Sequence, residues 1–364
     1  MTTVSVELGS RSYPIHIGEG LLSSLAELLG PLGVSGRMGL VSSARIHELY
    51  GEAVESALTA IGCQVSTTLI PDGEKAKDLA TVSYLYNAFL EAGLDRTSTL
   101  VSLGGGVVGD VTGFVAATLF RGIPYIQIPT TLLAMVDSSI GGKTGVNHPC
   151  GKNLIGAFHQ PQAVLIDPAM VRTLPRREIT SACAEIIKAA AIADGGFFQQ
   201  LAGGIQQLVD LTDMPLLEDA IIRSCRIKAE VVSGDERESN RRRILNFGHT
   251  LGHALEATAG YDTLRHGEAV AMGMVAAGYI STRVTGFPAG DLELLAAPIT
   301  QLELPRLPAL DQAVFQSFLS HDKKIRRGEL HFVLLESIGR PVITTEVTES
   351  HINETLDELQ RRFG

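Results

Sequence analysis

Three of the ten histidines, His249, His253 and His266, fall within eighteen residues of one another. His249 and His253 are four apart, so a helix would present both on one face, the spacing that metal sites use. Spacing leaves open which of the three would bind a metal. Glu185, in the run Ala182-Cys183-Ala184-Glu185-Ile186-Ile187-Lys188, is an acid in an otherwise apolar helical stretch. Burying it without a partner would be costly, which makes it a candidate third ligand. Lys188 lies on the same face one turn on and could order it.

A second chemistry is written in glycine. Leu103-Gly104-Gly105-Gly106-Val107-Val108-Gly109-Asp110 follows a strand-like run and opens a helical one. Glycines in that setting let a backbone approach a pyrophosphate at a helix N-terminus, although the pattern is not the common G-x-G-x-x-G. Pro71-Asp72-Gly73-Glu74-Lys75 reads as a turn. Asp137 to Gly145, with Gly151-Lys152-Asn153, forms a polar, glycine-rich stretch between two strand-like segments. It is expected to be a loop, and its two lysines, Lys143 and Lys152, favour a charged ligand.

These residues need two kinds of scaffold. Up to about Pro168, apolar runs alternate with helical stretches: Val4–Val6, Pro14–Ile17, Met38–Ser42, Val65–Ile70, Thr99–Leu103, Tyr125–Ile128 and Ala163–Ile166. The alternation predicts an α/β domain over 1–177 with a mostly parallel, Rossmann-like sheet. Beyond Leu174-Pro175-Arg176-Arg177 helical spacing takes over, predicting an all-α domain over 178–364. One exception is a hairpin expected from Leu330–Leu335 and Pro341–Glu346. A cleft between the domains is the expected place for a site.

The chain has 364 residues, 45% of them hydrophobic, and a formal charge of −10. It can bury a sizeable core, and its charge argues against nucleic acid or an anionic membrane as partner. No apolar run reaches the roughly 18 residues a membrane span needs, and the first ten residues show no leader pattern. The four cysteines are scattered, as in a reducing compartment. A cytoplasmic protein is the expectation. An anionic small substrate would require a local basic cluster working against the global charge.

Taken together these segments resemble the 3-dehydroquinate synthase family, over nearly the whole chain. Four blocks carry the resemblance: Asp72-Gly73-Glu74, Gly104 to Phe114, Arg121 to Pro161, and Asn246 to Glu268. It implies an N-terminal NAD-binding domain and a C-terminal helical metal-binding domain. It also implies Glu185, His249 and His266 as ligands of Zn²⁺ or Co²⁺, with His253 left beside the substrate. The implied NAD contacts are Asp72, Gly73, Glu74, Lys75, Ala76, Lys77, Gly106, Val107, Val108, Gly109, Asp110, Thr130 and Thr131. Lys143, Lys152 and Met170, Val171, Arg172 and Thr173 complete that set. Ser43 departs from the Asp or Asn that relatives often carry there.

The substrate the resemblance implies is 3-deoxy-arabino-heptulosonate 7-phosphate, an anion with carboxylate and phosphate. Arg242 and Lys228 would suit the carboxylate; Lys143, Asn153, Asn246 and Lys324 would suit the phosphate, and Arg121 would reach in from a second subunit of a homodimer. Asp137 would hold the metal-bound hydroxyls, and His253 and Lys188 are candidates for proton transfer. The reaction implied is transient oxidation by NAD, β-elimination of phosphate, return of the hydride and aldol closure. The alternatives are another sugar phosphate cyclase, a metal-dependent polyol dehydrogenase and a non-catalytic binder. The retained Asn153, Arg242, Asn246, His253 and Lys324 favour a carboxylate-bearing substrate.

Overall fold

The computed structural model describes residues 1–260, 263–325 and 330–364, the side chains of 320–329 excepted. They form two compact units, Met1–Leu174 with Lys228–Arg237, and Pro175–Ile227 with Glu238–Gly364. The sequence reading divides the chain once, after 177. Residues 228–237 join the first unit because their side chains are bonded there. Ser233 Oγ accepts from Glu7 N at 2.8 Å, and Glu236 pairs with Arg11 and accepts from Gln160 Nε2 at 2.9 Å.

In the first unit lie strands β1 (Thr2–Val6), β2 (Tyr13–Ile17), β3 (Arg37–Ser43), β4 (Gln64–Ile70), β5 (Thr99–Gly104), β6 (Tyr125–Pro129), β7 (Lys143–His148), β8 (Gly151–Phe158) and β9 (Ala163–Ile166). Its helices are α1 (Leu25–Leu29), α2 (Ala44–Ile46), α3 (Glu52–Ala60), α4 (Leu79–Glu91) and α5 (Gly106–Thr118). Seven strands form one sheet in the order β1-β2-β9-β6-β5-β3-β4. All seven coincide with the runs picked out by their apolar composition. Only β1 and β2 pair antiparallel in it. Every residue of β5, β6 and β9 is buried, which is why these strands are mostly apolar without a strict alternation; the few polar side chains, Thr99, Ser102 and Gln127, are buried with them. Since β3 leads outward to β4 while β5 leads the other way to β6, the sheet changes direction between β3 and β5. Open parallel sheets bind ligands at the C-terminal ends of strands at such a point.

The loop expected over Asp137–Asn153 is corrected: β7 and β8 pair as an antiparallel hairpin. Gly145 faces Gly156 across it, and a methyl on either would overlap the opposite backbone. The glycines that suggested a loop therefore let two strands and α5 pack closely; a methyl on Gly113 of α5 would strike Thr144.

The second unit is built from α6 (Arg176–Ala193), α7 (Gly195–Val209), most of α8 (Met214–Gly234), α9 (His249–Ala259), α10 (His266–Val284), α11 (Ala289–Thr300), α12 (Gln312–Ile325) and α13 (Glu349–Phe363). The expected hairpin is present as β10 (Phe332–Ser337) and β11 (Arg340–Thr344). Among the described residues no helix is long and apolar enough to cross a membrane. At the centre is α10, buried along most of its length and packed on α6 and α9. Small residues allow the approach: a methyl on Gly267 would overlap the Ser181 carbonyl of α6, and one on Gly273 would overlap that of Gly248.

Gly267→Ala is expected to lower the stability of the chain by about 3 kcal/mol, because backbone cannot yield as a flexible side chain would. Urea denaturation checks it against Gly290→Ala, where a methyl meets nothing within 4 Å. Equal midpoints for the two variants would contradict this packing account.

Candidate functional site

Glu185 sits mid-way along α6 and is 2% exposed. Neither carboxylate oxygen takes part in a hydrogen bond, although Lys188 one turn on forms an ion pair with Oε2. His249 Nε2 and His266 Nε2 each stand 3.6 Å from Glu185 Oε1. That is too long for a hydrogen bond. It is close to the spacing of about 3.4 Å between ligand atoms that surround one ion at bonds of about 2.0–2.1 Å.

Each histidine is aimed by local structure. His249 opens α9 directly after Gly248, whose φ of 78° is a left-handed conformation suited to glycine. His266 opens α10, where the Glu268 carboxylate accepts from Arg265 N at 2.7 Å as a helix cap. Arg177 grips the same carboxylate through Nε at 2.6 Å and Nη2 at 2.7 Å. His266 Nδ1 lies 3.7 Å from Glu256 Oε2, and His249 Nδ1 3.3 Å from the Phe247 carbonyl oxygen. Both rings thus turn Nδ1 to an outer oxygen and Nε2 towards Glu185, the orientation of metal-binding imidazoles.

The electrostatics agree. Burial pushes the Glu185 carboxyl up, but Lys188, His249 and His266 outweigh it and hold the group ionised, well below the usual range. Burial and the Lys188 charge drive His249 well below its ordinary value, so it is a neutral, ligand-ready imidazole. Burial works against a charged His266, yet Glu185 and Glu256 raise it to about 9. A buried carboxylate without hydrogen bonds, facing two imidazoles, fits a divalent cation such as Zn²⁺ or Co²⁺. His253 is exposed, but the ligand atoms of His249, His253 and His266 also lie within 4.8 Å of one another. We favour the triad with Glu185, because Lys188 pairs with Oε2 whereas Oε1 is faced by the Nε2 atoms of His249 and His266 at a separation that ligands of one cation keep.

In the first unit, Gly104–Gly106 links β5 to α5, and no side chain caps the helix. A methyl on Gly106 would lie 2.9 Å from Ser138 Oγ, and one on Gly105 3.0 Å from Thr131 Cγ2. Buried Thr130 Oγ1 and Ser138 Oγ beside this turn have no hydrogen-bond partner. An uncapped helix start next to two unsatisfied hydroxyls fits the phosphates of a nucleotide. Val107, Val108 and Gly109 lie in the first turn of that helix. Asp110, on the next turn, pairs with Lys77 at 2.5 Å. Burial raises its carboxyl to about 6, although Lys77 pulls the other way. Asp72 and Gly73 precede the 3-10 turn Glu74–Ala76, which contains Lys75, and Lys77 follows it. Lys77 Nζ also donates to Asn153 Oδ1 at 2.6 Å.

The other expected residues are spread more widely. Asp137 accepts from Lys228 Nζ at 2.5 Å. Lys143, Lys152 and Asn153 are exposed on the β7–β8 hairpin, and Arg121 is exposed after α5 with φ of 71°. Met170, Val171, Arg172 and Thr173 form a 3-10 segment, in which Arg172 faces Glu19 at 3.1 Å. Arg242 is buried and Asn246 donates to Glu238 at 2.6 Å, both in the 3-10 segment before α9. The side chain of Lys324 lies outside the described residues. Glu256, Ser138 and Asn147 fall within segments the sequence reading singled out, but none of the three is among its candidate site residues. The signal for Glu256 was available: it is the one acid within seven residues of His249, in the same histidine-rich run.

The chain was compared with known proteins. Residues 67–181 match the model of the 3-dehydroquinate synthase N-terminal domain, and residues 182–325 that of the C-terminal domain. A solved 2-epi-5-epi-valiolone synthase from Streptomyces hygroscopicus subsp. jinggangensis 5008, with NAD⁺ and Zn²⁺ bound, superimposes with a TM-score of 0.89. It is 30% identical, over 98% of this chain and 99% of that one. A 2-deoxy-scyllo-inosose synthase complexed with carbaglucose-6-phosphate, NAD⁺ and Co²⁺ superimposes with a TM-score of 0.88. It is 26% identical over 98% and 99% of the two chains. The glycerol dehydrogenase of Schizosaccharomyces pombe shares the fold at a TM-score of 0.68 and 15% identity, over 96% of this chain and 89% of that one.

Two predictions separate the ligand sets and test the charges. His253→Ala is expected to keep one Zn²⁺ per chain by elemental analysis, whereas Glu185→Ala loses it; the reverse result would favour the three-histidine set. In the metal-free chain His266 is raised from 6.5 to about 9, so the native state holds the extra proton between those values. The stabilisation is complete below about pH 6.5 and is lost as pH rises through about 9. Denaturation midpoints should fall from pH 7 to pH 10, and less steeply in His266→Gln.

Proposed function

Because the chain belongs to the 3-dehydroquinate synthase family of sugar phosphate cyclases, we propose that it converts 3-deoxy-D-arabino-heptulosonate 7-phosphate to 3-dehydroquinate and phosphate. In this reading it serves the shikimate route to aromatic amino acids. The observation that carries the choice of substrate is Arg242, a permanent cation only 3% exposed. A guanidinium can recognise a carboxylate through two parallel hydrogen bonds, and the heptulosonate phosphate has a carboxylate that the other cyclases' sugar phosphates lack.

The bound groups of the two solved cyclases extend to this chain as NAD at the Gly104–Gly106 turn and Zn²⁺ or Co²⁺ at Glu185, His249 and His266. When bound, the metal acidifies a coordinated hydroxyl and the nicotinamide accepts and later returns a hydride. The chain's own side chains do the rest. Arg242 and Lys228 hold the carboxylate, and Lys143 and Lys324, with hydrogen bonds from Asn153 and Asn246, stabilise the phosphate before and during its departure. Asp137, its carboxylate fixed by Lys228, accepts from substrate hydroxyls. His253 is exposed beside two rings that face Glu185, with centroids 5.3 and 5.6 Å away, so it can exchange a proton with solvent and with substrate. Lys188, paired with Glu185, keeps an ammonium where a developing oxyanion needs one. The enzyme is proposed to act as a homodimer in the cytoplasm, Arg121 of each copy serving the other's site; sedimentation at the monomer mass would contradict the dimer.

A second reading is favoured by the 30% identity to the valiolone synthase. In it the substrate is a phosphorylated sugar without a carboxylate. The two separate in one assay with catalytic NAD, Zn²⁺ and each sugar phosphate in turn. We expect many turnovers of phosphate release with the heptulosonate phosphate and no net NADH. Turnover only with a carboxylate-free substrate would establish the second reading, and accumulating NADH would establish a dehydrogenase. Arg242→Met is expected to lower kcat/KM by about a hundredfold, in keeping with loss of a charge-assisted bidentate contact.

A further inference from the structure

Asn147 has no role in the proposed chemistry, yet it joins two parts of the first unit that have one. It lies at the irregularity in the β7–β8 pairing, between the partners Val146–Ile155 and His148–Gly151. Its Nδ2 donates to Glu74 Oε1 at 2.7 Å, and its backbone N–H to the Lys77 carbonyl at 2.8 Å. Its Oδ1 accepts from the backbone N–H of Asn153 at 2.9 Å. Asn153 has φ of 57°, a left-handed backbone that asparagine tolerates better than most residues but that still needs support. Lys77, pulled in through its carbonyl, reaches back to Asn153 Oδ1 and to Asp110 of α5.

We propose that Asn147 is a positioning residue that ties the Glu74–Lys77 turn to the hairpin end bearing Asn153, so that nucleotide and substrate phosphate meet one connected frame. The inference rests on the reading of that turn as a nucleotide contact and of Asn153 as a phosphate contact. A carboxamide suits the task because it donates at one end, to a carboxylate, and accepts at the other, from a backbone amide. Aspartate could do only the second. It would also set a like charge against Glu74.

The test uses the full chain stripped of nucleotide, with NAD⁺ affinity measured by calorimetry and cyclase kinetics measured beside it. Asn147→Ala is expected to raise the NAD⁺ Kd and the substrate KM each about tenfold, with kcat changed less than about threefold, the scale of one charge-assisted hydrogen bond. Asn147→Asp should do the same. Because Glu74 belongs to the nucleotide-contact turn, the rescue is read against Glu74→Gln alone: in that background the carboxylate introduced at position 147 can accept from the new carboxamide, and Asn147→Asp should change neither constant by more than about threefold. An Asn147→Asp effect as large in the Glu74→Gln background as in the wild type would overturn the proposal. So would a lower denaturation midpoint with Kd and KM unmoved, since that is a structural role only. Failure of the wild type to turn over the heptulosonate phosphate would sink the functional reading instead, and the calorimetry would still decide the role of Asn147 towards the nucleotide.

Discussion

A carboxylate that is 2% exposed on an apolar helix, with no hydrogen bond to either oxygen, is the constraint on which the second unit depends. Ionised groups are removed from water at a penalty of several kcal/mol, and a single lysine compensates only part of it. Glu185 nevertheless stays charged, because Lys188, His249 and His266 hold it so. Electrostatics and geometry lead to the same point. The two imidazole nitrogens approach one oxygen to 3.6 Å and stop, leaving the separation that ligands of a common ion keep.

The fold around that carboxylate is arranged to make the approach possible. Helices α6, α9 and α10 meet where glycine replaces a side chain, at Gly267 next to His266 and at Gly273 against Gly248 next to His249. Ligand and glycine are neighbours in sequence, so close backbone contact sets the position of the ring. The first unit uses the same device for a different ligand class. Gly104–Gly106 brings the start of α5 close to Thr131 and Ser138, and the paired Gly145 and Gly156 let the hairpin lie flat beneath it.

Much of this was legible in the chain. The seven sheet strands were visible because each carries a short run of mostly apolar residues, and the helical second unit because its Ala/Leu/Ile-rich segments keep helical spacing. The β7–β8 hairpin was not, since Gly141, Gly142, Gly145, Gly151 and Gly156 give it the composition of a loop while serving close packing. Residues 228–237 could not be assigned from composition either: they continue α8, and only their bonds to Glu7, Arg11 and Gln160 show where they belong. At the histidine cluster, the four-residue spacing pointed to His249 with His253. The structure shows why spacing is insufficient: His266 comes from a different helix, and its Nε2 is aimed by contacts with Glu256 and by the cap at Glu268. Asn147 gave no signal, because a lone asparagine near a turn is ordinary and its three partners are distant in sequence or share its own hairpin.

X-ray absorption at the metal edge of the Co²⁺-loaded chain tests the central claim most directly. The account predicts two imidazole nitrogens and at least one carboxylate oxygen at about 2.0–2.2 Å, with the oxygen contribution from protein lost in Glu185→Ala. Three imidazoles and no carboxylate in the first coordination sphere would contradict it, because Glu185 would then answer only to Lys188 and its Oε1 would have no part in the site.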